Sequence, residues 1–293
     1  MNRNKMDKHR EQINLIYLLG AGRSGTTLLS TLLNAQEDIT TLGEMHQFYD
    51  YLYNDWECAC GKLLADCEFW GEIITALSLH SNQVMECKLL YNRMEKHSRI
   101  PFYLLGLGNN PAYDLDNETV FSEVKNNIPS KWLLDSSKYI GRYLLLRKNS
   151  SITIKGIYVV RDVRGVIHSF QKNVQTSRNP FSALVYYSLI NFFGQLVCWM
   201  DPKVIKIRYE DLMQDPKKTQ SRIYSHIFEK DMIEVSIHEF YDMPHIIGGN
   251  RMKQLKVIKI NKDDAWKRKQ SRFNKSLYYI MSLPLMLLNR YDL

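Results

Sequence analysis

Residues 13–34 read Ile13-Asn14-Leu15-Ile16-Tyr17-Leu18-Leu19-Gly20-Ala21-Gly22-Arg23-Ser24-Gly25-Thr26-Thr27, then Leu28-Leu29-Ser30-Thr31-Leu32-Leu33-Asn34. The opening is a short apolar run that stops at a glycine, the signature of a buried strand. Gly20 to Thr27 is a turn with three glycines, and from Leu28 the apolar residues return at helical spacing. Strand, glycine-rich loop and helix in that order have the spacing and setting of a phosphate-binding loop. The glycines let the backbone curl so that successive N–H groups converge on an anion, and the following helix adds its positive end. The same alternation continues downstream. Lys131–Leu134 reads as a strand, with Asp135–Lys138 as a loop and cap. Tyr139–Arg147 reads as a helix, Ile152–Val160 as a strand, Val163–Asn173 and Phe181–Trp199 as helices, and Lys203–Ile207 as a strand. Alternation of this kind predicts an α/β fold: a parallel sheet of the phosphate-loop type, flanked by helices on both faces in three layers. No internal repeat or low-complexity linker interrupts it, so residues 1–293 read as a single domain.

The chain has 293 residues, 45% hydrophobic and 24% charged. These ordinary values exclude a disordered chain, a collagen-like repeat and a coiled-coil rod. A chain this long buries roughly 75% of its unfolded surface and needs no disulfide or structural metal to hold a core. The formal charge of +8 is local: residues 251–275 carry ten basic and two acidic side chains, and the remainder holds 29 of each sign. That basic C-terminal segment on a neutral body reads either as a solvated face or as a site for an anionic partner. Of the five cysteines, Cys58, Cys60 and Cys67 lie within ten residues. No CxxC or histidine pair nearby completes a four-ligand zinc set, so free thiols are the expectation, with a strained disulfide or a metal site as alternatives. Met1 to Gln12 is polar with no apolar core of a signal peptide. The late apolar run Leu277–Leu288 is too short to span a bilayer and contains Pro284, so core packing is expected. These features lead to the expectation of a cytoplasmic protein without a transmembrane segment.

The first loop departs from that of a nucleoside triphosphatase. Thr26 stands where such an enzyme carries its lysine, and the strand Tyr158-Val159-Val160 ends in Arg161 rather than in a magnesium-binding aspartate. A guanidinium at a strand tip suits a phosphate and repels a divalent ion, so a nucleotide handled without magnesium is expected. The loop's own positive charge is Arg23.

These blocks together resemble the PAPS-dependent sulfotransferases (PAPS is 3′-phosphoadenosine 5′-phosphosulfate). Arg23-Ser24-Gly25-Thr26-Thr27 is similar to that family's 5′-phosphosulfate loop. Arg161-Asp162-Val163-Arg164-Gly165, with Ser169 eight residues after Arg161, is similar to its 3′-phosphate motif. Residues 207–216 resemble its third recurring segment, and Gly248-Gly249-Asn250-Arg251 its late cofactor-closing loop. The resemblance implies sulfuryl transfer from PAPS to a hydroxyl or amine, with 3′,5′-ADP as product and no metal. It implies that Ser24, Gly25, Thr26 and Thr27 hold the 5′ end, that Arg161 and Ser169 hold the 3′-phosphate, and that Tyr209, Asn250 and Arg251 lie near the nucleotide. Tyr209 also reads as a helix start packed on the sheet. Arg23 and Lys138 are the electrostatic candidates at the transferring group. Glu44, in Leu42-Gly43-Glu44-Met45-His46, matches the Gly-Glu of tyrosylprotein sulfotransferases and is the expected base, with His46 as the alternative. Trp56, Phe69, Trp70, Phe192 and Phe193 are expected in the core, or else against adenine or the acceptor.

Two other readings start from the same residues. One is a phosphate-loop phosphotransferase, against which the threonine at 26 counts. The other is a non-catalytic anion- or nucleic-acid-binding protein using the basic segment, which has little aromatic content to support it. The acceptor class stays open between carbohydrate, lipid, peptide and small metabolite.

Overall fold

In the computed structural model, which describes residues 12–172, 177–231, 233–249 and 251–293, alternate residues of β1 (Ile13–Gly20) enter two different cores. Leu15, Tyr17 and Leu19 pack into one, and Ile16 and Leu18 into the other. A strand covered on both faces has no polar side, which is why its sequence is a continuous apolar run. Around it lie β2 (Ile39–Gly43), β3 (Trp132–Lys138), β4 (Ile152–Val160) and β5 (Val204–Arg208) in the order β2-β3-β1-β4-β5. Every neighbouring pair is parallel, with Leu15 facing Leu133 on one side and Ile154 on the other. The connection after β1 runs to β2 on one side and the connection after the adjacent β4 runs to β5 on the other, which opens a crevice at the carboxyl ends of these two strands. The expected three-layer α/β sheet is therefore what the chain forms.

The helix Thr26–Asn34 follows β1 directly and is buried along almost its whole length. Two boundaries differ from expectation. β3 does not stop at Leu134 but continues through Asp135, Ser136 and Ser137 to Lys138, its register against β1 shifting between Tyr17 and Leu19. Asp135 is fully buried yet satisfied: Arg142 Nε donates to it at 2.8 Å, and the Ser137 amide at 2.9 Å. Polar residues thus extend a strand where a buried partner receives them. The second difference is the helix Pro111–Asn126, in the stretch 100–130, which its prolines and Gly-Asn-Asn turn mark as an insertion facing the substrate and not as a helix; Asn110 caps it by accepting from the Tyr113 amide at 3.1 Å.

The helix Pro180–Met200 is long and apolar enough to cross a membrane. Its inner face is core, with Ala183, Tyr187, Ile190 and Gly194 buried. The Tyr158 hydroxyl on β4 donates to Asn191 Oδ1 at 2.9 Å, which ties the helix to the sheet. The run Leu277–Leu288 forms parts of two short helices, Arg272–Met281 and Leu283–Leu288. Tyr278, Tyr279, Leu285 and Met286 are buried as expected. The basic segment is folded as well: Val257–Ile258 pairs antiparallel with Tyr241–Asp242, and the short helix Trp266–Lys269 follows.

Candidate functional site

The carboxyl ends of β1, β2 and β3 converge on a cavity of about 1280 Å³. Its floor is the first loop. Gly25 sits at φ +92°, and a Cβ there would meet the Tyr209 ring at 2.5 Å, so the turn needs a residue without a side chain. Among the described residues no side chain caps the helix that begins at Thr26, whose first turn lies at the cavity floor. The Ser24 hydroxyl is buried and has no hydrogen-bond partner among the described residues. Uncapped amides and an orphaned hydroxyl in one turn are what a bound phosphate would satisfy. The Tyr186 hydroxyl accepts from the Gly22 amide at 2.9 Å and fixes the loop from the side of the long helix.

Arg23 is held at φ +70°, a left-handed conformation that a non-glycine residue adopts only under constraint. Its Nε donates to Ser169 Oγ at 3.0 Å. Its carbonyl accepts from Arg161 at 3.1 Å. The structure therefore brings Arg23, Arg161 and Ser169 together. Arg161 is almost fully buried and its guanidinium lies 4.3 Å from the centre of the Tyr209 ring. Its ion-pair partner is neither Asp162 nor Glu210. Asp162 is taken by Arg164 at 2.7 Å, and Glu210 accepts from the Tyr291 hydroxyl at 2.6 Å. Asp263, from the basic segment, instead offers Arg161 its carbonyl at 2.7 Å and its carboxylate at 3.2 Å, and Lys172 holds the same carboxylate at 2.9 Å. Burial alone would push the Asp263 carboxyl up, but these two cations outweigh it and hold it below its usual range.

Tyr209 starts the helix Tyr209–Gln214, and its ring lies between Gly25 and Arg161. Asn250 lies outside the described residues. Arg251 opens a short 3₁₀ turn, Arg251–Gln254, and its side chain is likewise outside what is described.

Across the cavity, Lys138 at the tip of β3 is also left-handed, at φ +70°. Its Nζ lies 2.5 Å from Glu44 Oε1. The same oxygen accepts from the Gly249 amide at 3.1 Å, and Gln47 donates to Oε2 at 3.2 Å. Three donors, from Lys138, Gly249 and Gln47, thus surround the Glu44 carboxylate. Gly248 packs so closely that a Cβ there would lie 2.7 Å from that of Glu44. The segment is pinned by main-chain bonds, Glu44 N–H to the Ile247 carbonyl at 2.6 Å and Ile247 N–H to the Leu42 carbonyl at 3.0 Å.

His46 does not share an extended face with Glu44, because residues 45–47 form a 3₁₀ turn, yet both side chains line the cavity. The His46 ring lies 4.3 Å from that of Tyr139, tilted by 33°, and its amide donates to Ser137 Oγ at 3.0 Å. Burial, then the charges of Lys138, Arg142 and His97, push its pKa well below the usual imidazole value, so it is neutral at pH 7. Beneath it, Ser137 Oγ donates to Asp135 in a short bond, and Arg142 joins Asp135 to Glu95 at 2.8 and 2.7 Å.

Of the aromatic residues expected in the core, Trp70 is fully buried and Phe69 and Phe193 partly so, but Trp56 and Phe192 are not. Trp56 is 46% exposed and lines the mouth of the cavity. Sequence reasoning also missed Asp263 and Gln47. Asp263 lies 102 residues from its partner, and a glutamine beside a histidine carries no pattern of its own.

The chain matches the family model of the sulfotransferase domain over residues 15–276. Among solved structures it is similar to the sulfotransferase domain from the curacin biosynthetic pathway, at 18% identity and a TM-score of 0.56, covering 97% of this chain and 99% of that one. It is also similar to the sulfotransferase domain of the Synechococcus PCC 7002 olefin synthase (18% identity, TM-score 0.49, 98% of each chain). A mouse sulfotransferase, SULT7A1 complexed with PAP, aligns at 12% identity and a TM-score of 0.47, over 95% of this chain and 89% of that one. No curated protein sequence matches the chain.

Proposed function

From its membership of the sulfotransferase family, we propose that this protein transfers a sulfuryl group from PAPS to a hydroxyl or amine acceptor without a divalent metal in the transfer step. The observation that carries this reading is the pairing, in one crevice, of an uncapped phosphate loop ending in Thr26-Thr27 with a buried arginine at the tip of β4 that already grips a carboxylate. The first loop holds the 5′ end of the donor through the amides of Gly25, Thr26 and Thr27 and the Ser24 hydroxyl. Arg161 and Ser169 hold the 3′-phosphate in the place where Asp263 now lies, and Tyr209 backs the guanidinium. Arg23, anchored on Ser169, contributes positive charge between the two ends. Asn250 and Arg251, next along from the Gly248–Gly249 turn, complete the cover.

When bound, PAPS supplies the sulfuryl group and takes the electron pair of the broken S–O bond away on 3′,5′-ADP. Glu44 accepts the acceptor's proton as its oxygen or nitrogen bonds to sulfur, and Lys138, already 2.5 Å from Glu44, neutralises charge beside it. The neutral imidazole of His46 is the alternative base. Trp56, at the mouth, gives the acceptor an apolar surface to lie on. The protein is expected to act where PAPS is made, in the cytoplasm.

Calorimetric titration with 3′,5′-ADP in the presence and absence of EDTA tests the donor assignment. Binding unchanged by the chelator is expected, and binding that appears only with magnesium would overturn it. Transfer of labelled sulfate from PAPS to a broad acceptor panel then identifies the acceptor. Glu44→Gln should lower turnover at least about a hundredfold with 3′,5′-ADP affinity retained; full turnover would move the base to His46.

A further inference from the structure

Three thiols and an imidazole meet at the rim of the cavity. Cys58 and Cys60 lie on a tight hairpin that is closed by a bridge between Glu57 and Leu63 and turns at Gly61, φ +86°. Cys67 stands at the entry to the helix Trp70–Leu77, its carbonyl accepting from the Gly71 amide at 2.7 Å. The fourth member, His245, comes from far along the chain. Its Nδ1 lies 3.1 Å from Cys67 Sγ, and the four donor atoms all fall within 4.8 Å of one another. We propose that Cys58, Cys60, Cys67 and His245 form a structural zinc site.

The geometry separates this from the two alternatives that the cysteine spacing leaves open. Cys60 Sγ and Cys67 Sγ are 3.7 Å apart, far beyond the 2.03–2.05 Å of a disulfide. That spacing is the edge of a tetrahedron of sulfurs around a centre about 2.3 Å from each, roughly 3.8 Å. Packing of thiols as small apolar groups accounts for buried Cys58 and Cys67, but not for exposed Cys60 turned to the same point, nor for a polar imidazole brought to it. A set of three sulfurs and one imidazole nitrogen, closed by four protein ligands, suits zinc in a structural rather than a catalytic role. Outer contacts fix the ligands. The Trp70 indole donates to the His245 carbonyl at 2.9 Å, the Phe69 ring stacks on the imidazole at 6.1 Å, and the Ala59 amide donates to the Ile246 carbonyl at 3.3 Å.

The ion would fasten residues 58–67 to the segment that holds Glu44. His245 is two residues from Ile247, which pairs with Gly43, and four from Gly249, whose amide reaches the Glu44 carboxylate. The full chain, expressed with zinc in the medium and purified without chelator, should carry about one zinc per chain by elemental mass spectrometry. After exchange to cobalt it should show thiolate charge-transfer bands and the intense visible bands of a tetrahedral centre. Cys67→Ser and His245→Ala should fall to trace zinc, while Cys87→Ser and Cys198→Ser keep it. The proposal fails if the wild-type chain, reduced and titrated with cobalt, gives no charge-transfer band. It fails equally if freshly purified protein contains a Cys60–Cys67 disulfide by peptide mass spectrometry, or if a His245→Ala chain with wild-type circular dichroism retains a full zinc equivalent.

Discussion

Gly25 is where one missing side chain serves two neighbours, letting the loop turn at positive φ and letting the Tyr209 ring approach. Gly25→Ala should cost about 1–3 kcal/mol of stability through backbone strain and the ring clash, read by denaturant unfolding, and should weaken 3′,5′-ADP binding in calorimetry. Arg161→Ala should weaken the same ligand roughly ten- to a hundredfold, because a charge-assisted phosphate contact contributes about 1.5–3 kcal/mol. Asp263→Asn should act in the opposite direction and tighten binding, since the carboxylate that competes for Arg161 and Lys172 is gone. His46 gives a pH signature. Its folded pKa lies below the unfolded value of about 6.5, so the unfolded chain takes up a proton first as the solution is acidified. The stability tied to neutral His46 is complete above about pH 6.5 and is lost as pH falls through the lower folded pKa. His46→Phe, which keeps a ring against Tyr139, should lose melting temperature less steeply than wild type on acidification. At this scale the sequence was legible where function is local. The loop at 20–27 announces itself by spacing, whereas Asp263 and His245 act on partners 102 and 178 residues away and leave no local trace.

Elements carry the site by their ends. β3 delivers Lys138 only because Asp135, buried within it, is answered by Arg142 from the next helix, which also binds Glu95. Burial pushes the Glu95 carboxyl up, with the Arg142 charge opposing. Arg142→Leu leaves two carboxylates in the core without their cation and should destabilise the fold by roughly 3–5 kcal/mol. Calorimetric melting would register it, and a loss below about 1 kcal/mol would mean the carboxylates find other partners. This network explains why β3 was read four residues too short. Asp-Ser-Ser resembles a cap when its partners are out of sight. β1, β4 and the helix Pro180–Met200 were legible because their apolar runs are long, whereas the helix Pro111–Asn126 was not, its buried positions being interrupted by Asn117 and flanked by acidic residues.

Taken whole, the molecule is built on a five-stranded sheet between two cores, with the carboxyl ends of β1, β2 and β3 opening on the cavity. A ligand spanning the first loop and Arg161 therefore bridges strands on both sides of the switch point. At a hundredfold excess over its Kd, 3′,5′-ADP should stabilise the fold by about 2.7 kcal/mol and raise the melting temperature by roughly 5 °C. A scan with and without the nucleotide reads that shift directly. The pairing of Ile247 with Gly43 has a consequence of another kind. β2 forms one margin of the sheet, and Ile247 and its neighbours lie along the end of that margin, taking up main-chain groups that would otherwise invite a strand from a second molecule. The opposite margin, β5, is five residues long and carries Lys206 and Arg208. Both borders are thereby guarded against β-mediated self-association, and disrupting the turn at 247–249 should expose the chain to precipitation as well as to loss of turnover.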